Sequence, residues 1–140
     1  MTPTENLHVA IGHLAYAIAK ADGQVQKEER QKFCDIVAAE LKNDDYGFDI
    51  SDIAFQITEK DRFVDAKTAY DWAMKEIRLN SHYLSPELKE KFVIVMEKIA
   101  KAYPPVTFDG MNLLGRFIRD IAFIHGDPVY YNMGRRSHSC

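Results

Sequence analysis

Cysteine is scarce: the chain of 140 residues holds two, Cys34 and Cys140. That excludes a disulfide-stapled mini-protein, and their wide separation suits neither a zinc knuckle nor a thiol redox pair. Cys34 follows Phe33 inside a helical pattern and reads as a small core hydrophobe. Long apolar runs are missing as well. Nowhere do the roughly eighteen consecutive apolar residues of a membrane span occur, and Met1 to Asn6 carries no basic cluster leading into an apolar stretch, as an export signal would. A cytoplasmic protein without membrane attachment is the expectation. Positive excess is absent: 18 basic and 21 acidic side chains leave a net charge of −3, so no nucleic-acid footprint is expected.

Catalytic patterns are missing too. There is no Gly-x-Ser-x-Gly elbow, no phosphate-cradling glycine loop and no His-Glu-x-x-His. His8 and His13 stand five apart and share no helical face, while His82 and His125 fall at helix ends, where an imidazolium complements the terminal carbonyls. With no candidate catalytic residue, a non-enzymatic protein is expected.

What is present is a hydrophobic share of 46%, the proportion of a chain that builds a packed core. At this length folding buries somewhat under roughly 70% of the unfolded surface, enough without staples. Leu7, Ile11, Leu14 and Ile18 recur at helical spacing, predicting a first helix capped by Thr4 and ending near Ala21. Asp22-Gly23 breaks it. A second helix opens on Glu28 and Glu29, with Phe33, Ile36, Val37 and Leu41 inward, and residues 43–47 read as a loop.

Ser51 is positioned to cap a short helix carrying Ile53 and Ile57, with Phe55 as a further candidate. Asp65 then caps a longer one carrying Ala66, Ala69, Tyr70, Ala73 and Ile77. Ser85-Pro86-Glu87 is the strongest helix start in the chain. Leu88, Phe92, Val95, Ile99 and Ala102 follow it, and the all-round apolar run 92–96 predicts the central helix. After Pro104-Pro105, Thr107 or Asp109 caps a last helix with Leu114, Phe117, Ile118, Ile121 and Ile124 facing the core, ended by Gly126-Asp127-Pro128. Trp72, Tyr70 and Tyr83 are expected to be core or half-buried. The prediction is an all-α, single-domain bundle of six or seven helices over residues 1–126. A tail over 127–140 docks through Tyr130 and Tyr131, and its Arg135, Arg136 and His138 read as solvated.

Ile18-Ala19-Lys20-Ala21 recurs letter for letter as Ile99-Ala100-Lys101-Ala102. Each copy is followed by a valine, Val25 or Val106, and then by acids at a helix start. Two pseudo-symmetric helical hairpins are expected. They diverge at the turn, where Asp22-Gly23 corresponds to Tyr103-Pro104 and Glu28 roughly to Asp109.

The ten residues Ala21-Asp22-Gly23-Gln24-Val25-Gln26-Lys27-Glu28-Glu29-Arg30 resemble the signature Ala-Asp-Gly-x-(Ile/Val)-x-x-x-Glu-Arg of the TerB-like domain, a family named for a tellurite-resistance protein. The resemblance implies an all-helical domain with two pseudo-symmetric copies of this turn and a metal site built from nearby acids. It carries over onto Asp22, Gly23 and Glu29, with Glu28 as an additional acid. The second copy departs by lacking Asp-Gly, and Gln26 stands where a capping Ser or Thr is usual.

Asp22, Glu28 and Glu29 suit a hard cation such as calcium or magnesium, which takes oxygen ligands. They are too few for the six to eight oxygens of calcium without carbonyls and water. An EF-hand is excluded, because Ile18 and Lys20 fall where its loop requires acids. The same residues also have a plain structural reading: Gly23 makes the turn, Asp22 bonds local N–H groups and Glu29 complements the helix dipole. The function expected is therefore binding of a divalent cation or a protein partner through this acidic turn. The alternative is an ion-free interaction module that uses a hydrophobic groove or the Tyr-rich tail.

Overall fold

The computed structural model describes residues 2–21, 27–41, 54–58, 60, 64–102 and 108–132; the side chains at 27–30, 41, 102 and 108 are not among them. The elements are α1 (Pro3–Ala21), α2 (Lys27–Leu41), α3 (Ala66–Leu79), a 3₁₀ turn (Ser81–Tyr83), α4 (Pro86–Ala102), α5 (Phe108–Ala122) and a short α6 (Pro128–Tyr131). Residues 54–58 add a further helical stretch between α2 and α3. Among the described residues there is no strand, and no helix is long and apolar enough to cross a membrane. The fold is an all-α bundle.

Local chemistry sets the helix starts. Thr2, not Thr4, caps α1: the Glu5 N–H donates to Thr2 Oγ1 and the Thr2 N–H donates to Glu5 Oε1, both at 3.1 Å. This reciprocal capping box puts Pro3 at the first helical position, where a missing N–H costs nothing. The bond from the Thr2 N–H holds the Glu5 carboxyl below its ordinary value. Asp65 caps α3 as expected, its Oδ1 accepting the Thr68 N–H at 2.7 Å. Ser85 caps α4 through Leu88 N–H at 3.1 Å. Thr107, the expected cap of α5, lies outside the described residues; Asp109 is inside the first turn of that helix and is not its cap.

Burial follows the predicted stripes with three corrections. Leu7, Ile11, Leu14 and Ile18 are fully buried, as are Phe33, Val37, Ala69, Ala73, Ile77, Phe92, Val95, Ile99 and Phe117. First, of the two large apolar candidates at 54–58 only Phe55 faces the core. Phe55 is buried and stacks on Phe33 at 4.3 Å between centroids, while Ile57 is 63% exposed. The larger aromatic surface takes the core side, and Ile53 lies outside the described residues. Second, Ile118 is exposed on the flank of α5. Third, α4 shares the centre with α1, which packs against α3, α4 and α5. Six successive residues of α1, Leu14, Ala15, Tyr16, Ala17, Ile18 and Ala19, are buried without a break, because small side chains let neighbours close in on several sides.

The most extensive of these contacts joins α1 to α3. Asn6, Ala10, His13 and Ala17 share one side of α1 by helical spacing. Asn6 Nδ2 donates to Asn80 Oδ1 at 3.5 Å, the His13 ring lies 5.8 Å from the Trp72 ring, and Tyr16 Oη donates to Val64 O at 3.0 Å. Partner numbers fall as α1 numbers rise, so the helices run antiparallel.

The internal repeat has a structural counterpart. Both copies end a helix on their last alanine, Ala21 and Ala102, and the next helix starts after the same interval, at Lys27 and Phe108. Ile18 and Ile99 occupy matching fully buried positions. An exchange of α1 with α4 and of α2 with α5 also maps the α1–α5 contact onto the α4–α2 contact, and both exist.

After α5 the chain reverses at Gly126. A Cβ there would fall 2.1 Å from Leu84 O, so only glycine permits this approach. Asp127 then caps α6, its carboxylate accepting the Val129 N–H at 2.9 Å, while the Asp127 N–H donates to His82 O at 2.9 Å. Gly126→Ala is expected to destabilise the protein by about 1–3 kcal/mol in a urea titration, since backbone must move. Gly115, inside α5, has nothing within 4 Å of an added Cβ. Gly115→Ala is expected to stabilise by about 0.5–1 kcal/mol in the same assay.

Candidate functional site

The sequence points to the segment joining α1 to α2. Asp22 and Gly23 lie outside the described residues. Glu28 and Glu29 fall in the first turn of α2, whose backbone is helical there; their side chains are outside the description. Both backbone positions stand near the positive end of α2, where negative charge is favoured. Asp109, their rough counterpart in the second copy, is exposed in the first turn of α5. Among the described residues no group of three or more His, Cys, Asp or Glu gathers in metal-binding range.

Three polar and aromatic clusters occupy the described body, none singled out by sequence spacing. The first joins α3 to α5. Tyr70, 1% exposed, donates its hydroxyl to Asp120 Oδ2 at 2.5 Å. The Arg116 guanidinium carbon sits 4.6 Å from the Tyr70 ring centroid, and Arg116 Nε lies 3.7 Å from Asp120 Oδ2. Burial, then the bond to Asp120, pushes the Tyr70 hydroxyl well above its ordinary pKa. It stays protonated at neutral pH and is a hydrogen-bond donor, not a base. Helical spacing shows Arg116 and Asp120 as a pair, but nothing in the sequence links either of them to Tyr70.

The second cluster is His13 against Trp72. The ring planes are inclined by 56°, and His13 Nδ1 is buried with no hydrogen-bond partner. Trp72, 42% exposed, stands at the rim of the α1–α3 contact. Desolvation lowers the His13 pKa, and the Glu76 carboxylate partly offsets this. His8, by contrast, is buried with Nδ1 2.8 Å from Thr4 O.

The third lies at the other end of α3. His82 stacks on Tyr130 at 5.1 Å, and Tyr83 meets the same ring edge-on at 5.4 Å. Tyr130 thus docks as expected, although it stays partly exposed, as do Phe123 and Val129 nearby in sequence. The expectation that His82 and His125 serve helix carbonyls is replaced at α5 by a lysine. Lys89 Nζ of α4 donates to Ile124 O at 2.9 Å and to Ala122 O at 3.4 Å. A long flexible ammonium reaches across from the neighbouring helix where His125, exposed, does not. On the far side of the bundle Lys98 of α4 pairs with Glu40 of α2.

Compared with protein-family models, curated proteins and solved structures, the chain matches none.

Tyr70→Phe is expected to cost about 1–3 kcal/mol in denaturant unfolding, because Asp120 loses its donor. The tyrosine also predicts an alkaline dependence. An unfolded Tyr titrates near pH 10 and the folded one higher, so above about pH 10 the unfolded state holds fewer protons and stability falls as pH rises. Below that the contribution is constant. Comparing stability at neutral and strongly alkaline pH in wild type and Tyr70→Phe measures it: the wild type is expected to lose more.

Proposed function

We propose that the chain is a TerB-like helical domain, related to stress or tellurite resistance, that works by binding and not by catalysis. Its site is the turn carrying Asp22, Glu28 and Glu29, which takes a divalent cation, calcium or magnesium, or a protein partner. The observation that supports this reading is the matched pair of helix junctions. Two copies of one four-residue helix end lead, after equal intervals, into two helices; the first has Asp22-Gly23 directly after its helix end and a Glu pair in the next opening turn, where the second has Tyr103-Pro104 and Asp109. A fold that keeps both junctions while concentrating acids in one has a place where an oxygen-seeking cation or a basic partner surface is favoured.

Titrating chelator-stripped protein with calcium, magnesium and zinc while following amide shifts tests the cation version. Shifts confined to residues 22–30 at about millimolar cation or below, lost in Asp22→Asn and Glu29→Gln, are expected for a site of few ligands. A spectrum that does not move with any of the three overturns it. A silent titration favours an ion-free interaction module, which the exposure of Phe123 at 85% together with that of Val129 and Tyr130 supports.

A further inference from the structure

The α1–α3 contact is built on small side chains. Ala10, Ala17, Ala69 and Ala73 are all fully buried, and His13 is the one imidazole set among them by helical spacing. Its Nδ1 is sealed from solvent with no acceptor or donor in reach. A neutral ring meets this by carrying its proton on Nε2, leaving only an unused lone pair inside. An imidazolium has no such option. Protonation places a second N–H in a position that offers it no acceptor, beside the Trp72 ring.

We propose that His13 makes the α1–α3 contact an acid-sensitive joint, in which proton uptake at the buried Nδ1 forces the ring out of its place against Trp72 and loosens the two helices. The inference is independent of the function proposed for the acidic turn. The charged groups around the ring are few. From α3, Glu76 stands one turn beyond Trp72 and is the charged group that acts on the ring. Its carboxylate already accepts from Asn80 Nδ2 at 3.3 Å, and Asn80 is in turn bonded to Asn6. Asp71 and Lys75 are exposed and lie further round α3. On α1 the residues one turn from His13, which are Val9, Ala10, Tyr16 and Ala17, carry no charge. Among the described residues of α4 and α5, no charged group acts on it.

The sign follows from burial. Desolvation lowers the folded-state pKa below the ordinary histidine value, so across the interval between the two the unfolded chain binds more protons. Stability is constant above the unfolded pKa, falls as pH drops through the interval, and levels off once the folded ring is protonated. Neutral conditions keep the joint closed and acid opens it.

Trp72 is the sole tryptophan of the chain, so its emission reads the joint directly. Wild type and His13→Phe are compared from neutral to mildly acidic pH by Trp72 emission and by urea unfolding, and the histidine rings of wild type are titrated by NMR. The expected result has three parts. The His13 ring titrates below the ordinary histidine range. Trp72 emission changes with the same midpoint. The wild-type unfolding constant rises by up to about tenfold per pH unit relative to His13→Phe across that interval. Should His13→Phe fail to fold, Glu76→Gln replaces it and is expected to lower the His13 midpoint further, since it removes the carboxylate that favours the proton. A His13 ring that titrates in the ordinary histidine range, or a Trp72 response equally present in His13→Phe, overturns the proposal.

Discussion

The approach of α1 to α3 through alanine is the constraint on which the rest of the bundle depends. Ala10 and Ala17 on one helix and Ala69 and Ala73 on the other are completely buried, and there is no room in such a contact for an extra methylene without displacing backbone. Because α1 also packs on α4 and α5, a shift of α3 is felt across the core. The polar ends of the contact are closed by specific bonds, Asn6 to Asn80 at one end and Tyr16 to Val64 at the other. These fix the register that the alanines alone would leave free to slide.

On this frame the two halves of the chain are organised alike and finished differently. The helix ends at Ala21 and Ala102, and the crossed contacts of α1 with α5 and α4 with α2, follow one plan. The second half then adds the Gly126 bend, α6 and the Lys89 bonds, which have no counterpart among the described residues of the first. Among the described residues α4 also packs directly on α5, whereas α1 and α2 do not pack extensively on each other.

Helices and their core faces are largely legible in the residues, because apolar spacing and capping chemistry are local signals. Leu7, Ile11, Leu14 and Ile18, the Asp65 cap and the Ser85-Pro86 start all lie where those signals put them. The departures arise where a partner beyond the local pattern decides. Phe55 displaces Ile57 from the core because Phe33 offers it a stacking surface, and no periodicity over five residues reveals that. Thr4 stands nearer the apolar stripe, but Thr2 wins because Glu5 can answer it. Asp22, Glu28 and Glu29 stand out as a motif. His13 with Trp72 and Tyr70 with Asp120 do not, since each pair is joined only by the packing of remote helices.

The bonds at the α5 terminus tie together parts of the chain that are far apart in sequence. Lys89 holds the carbonyls of Ala122 and Ile124, the His82 carbonyl receives the Asp127 N–H, and Gly126 lies against Leu84. The reversal before α4 and the reversal after α5 are consequently halves of one clasp. Neither can fray while its mate stays shut, so the amides of both corners belong to a single cooperative opening unit, even though about forty residues of chain run between them.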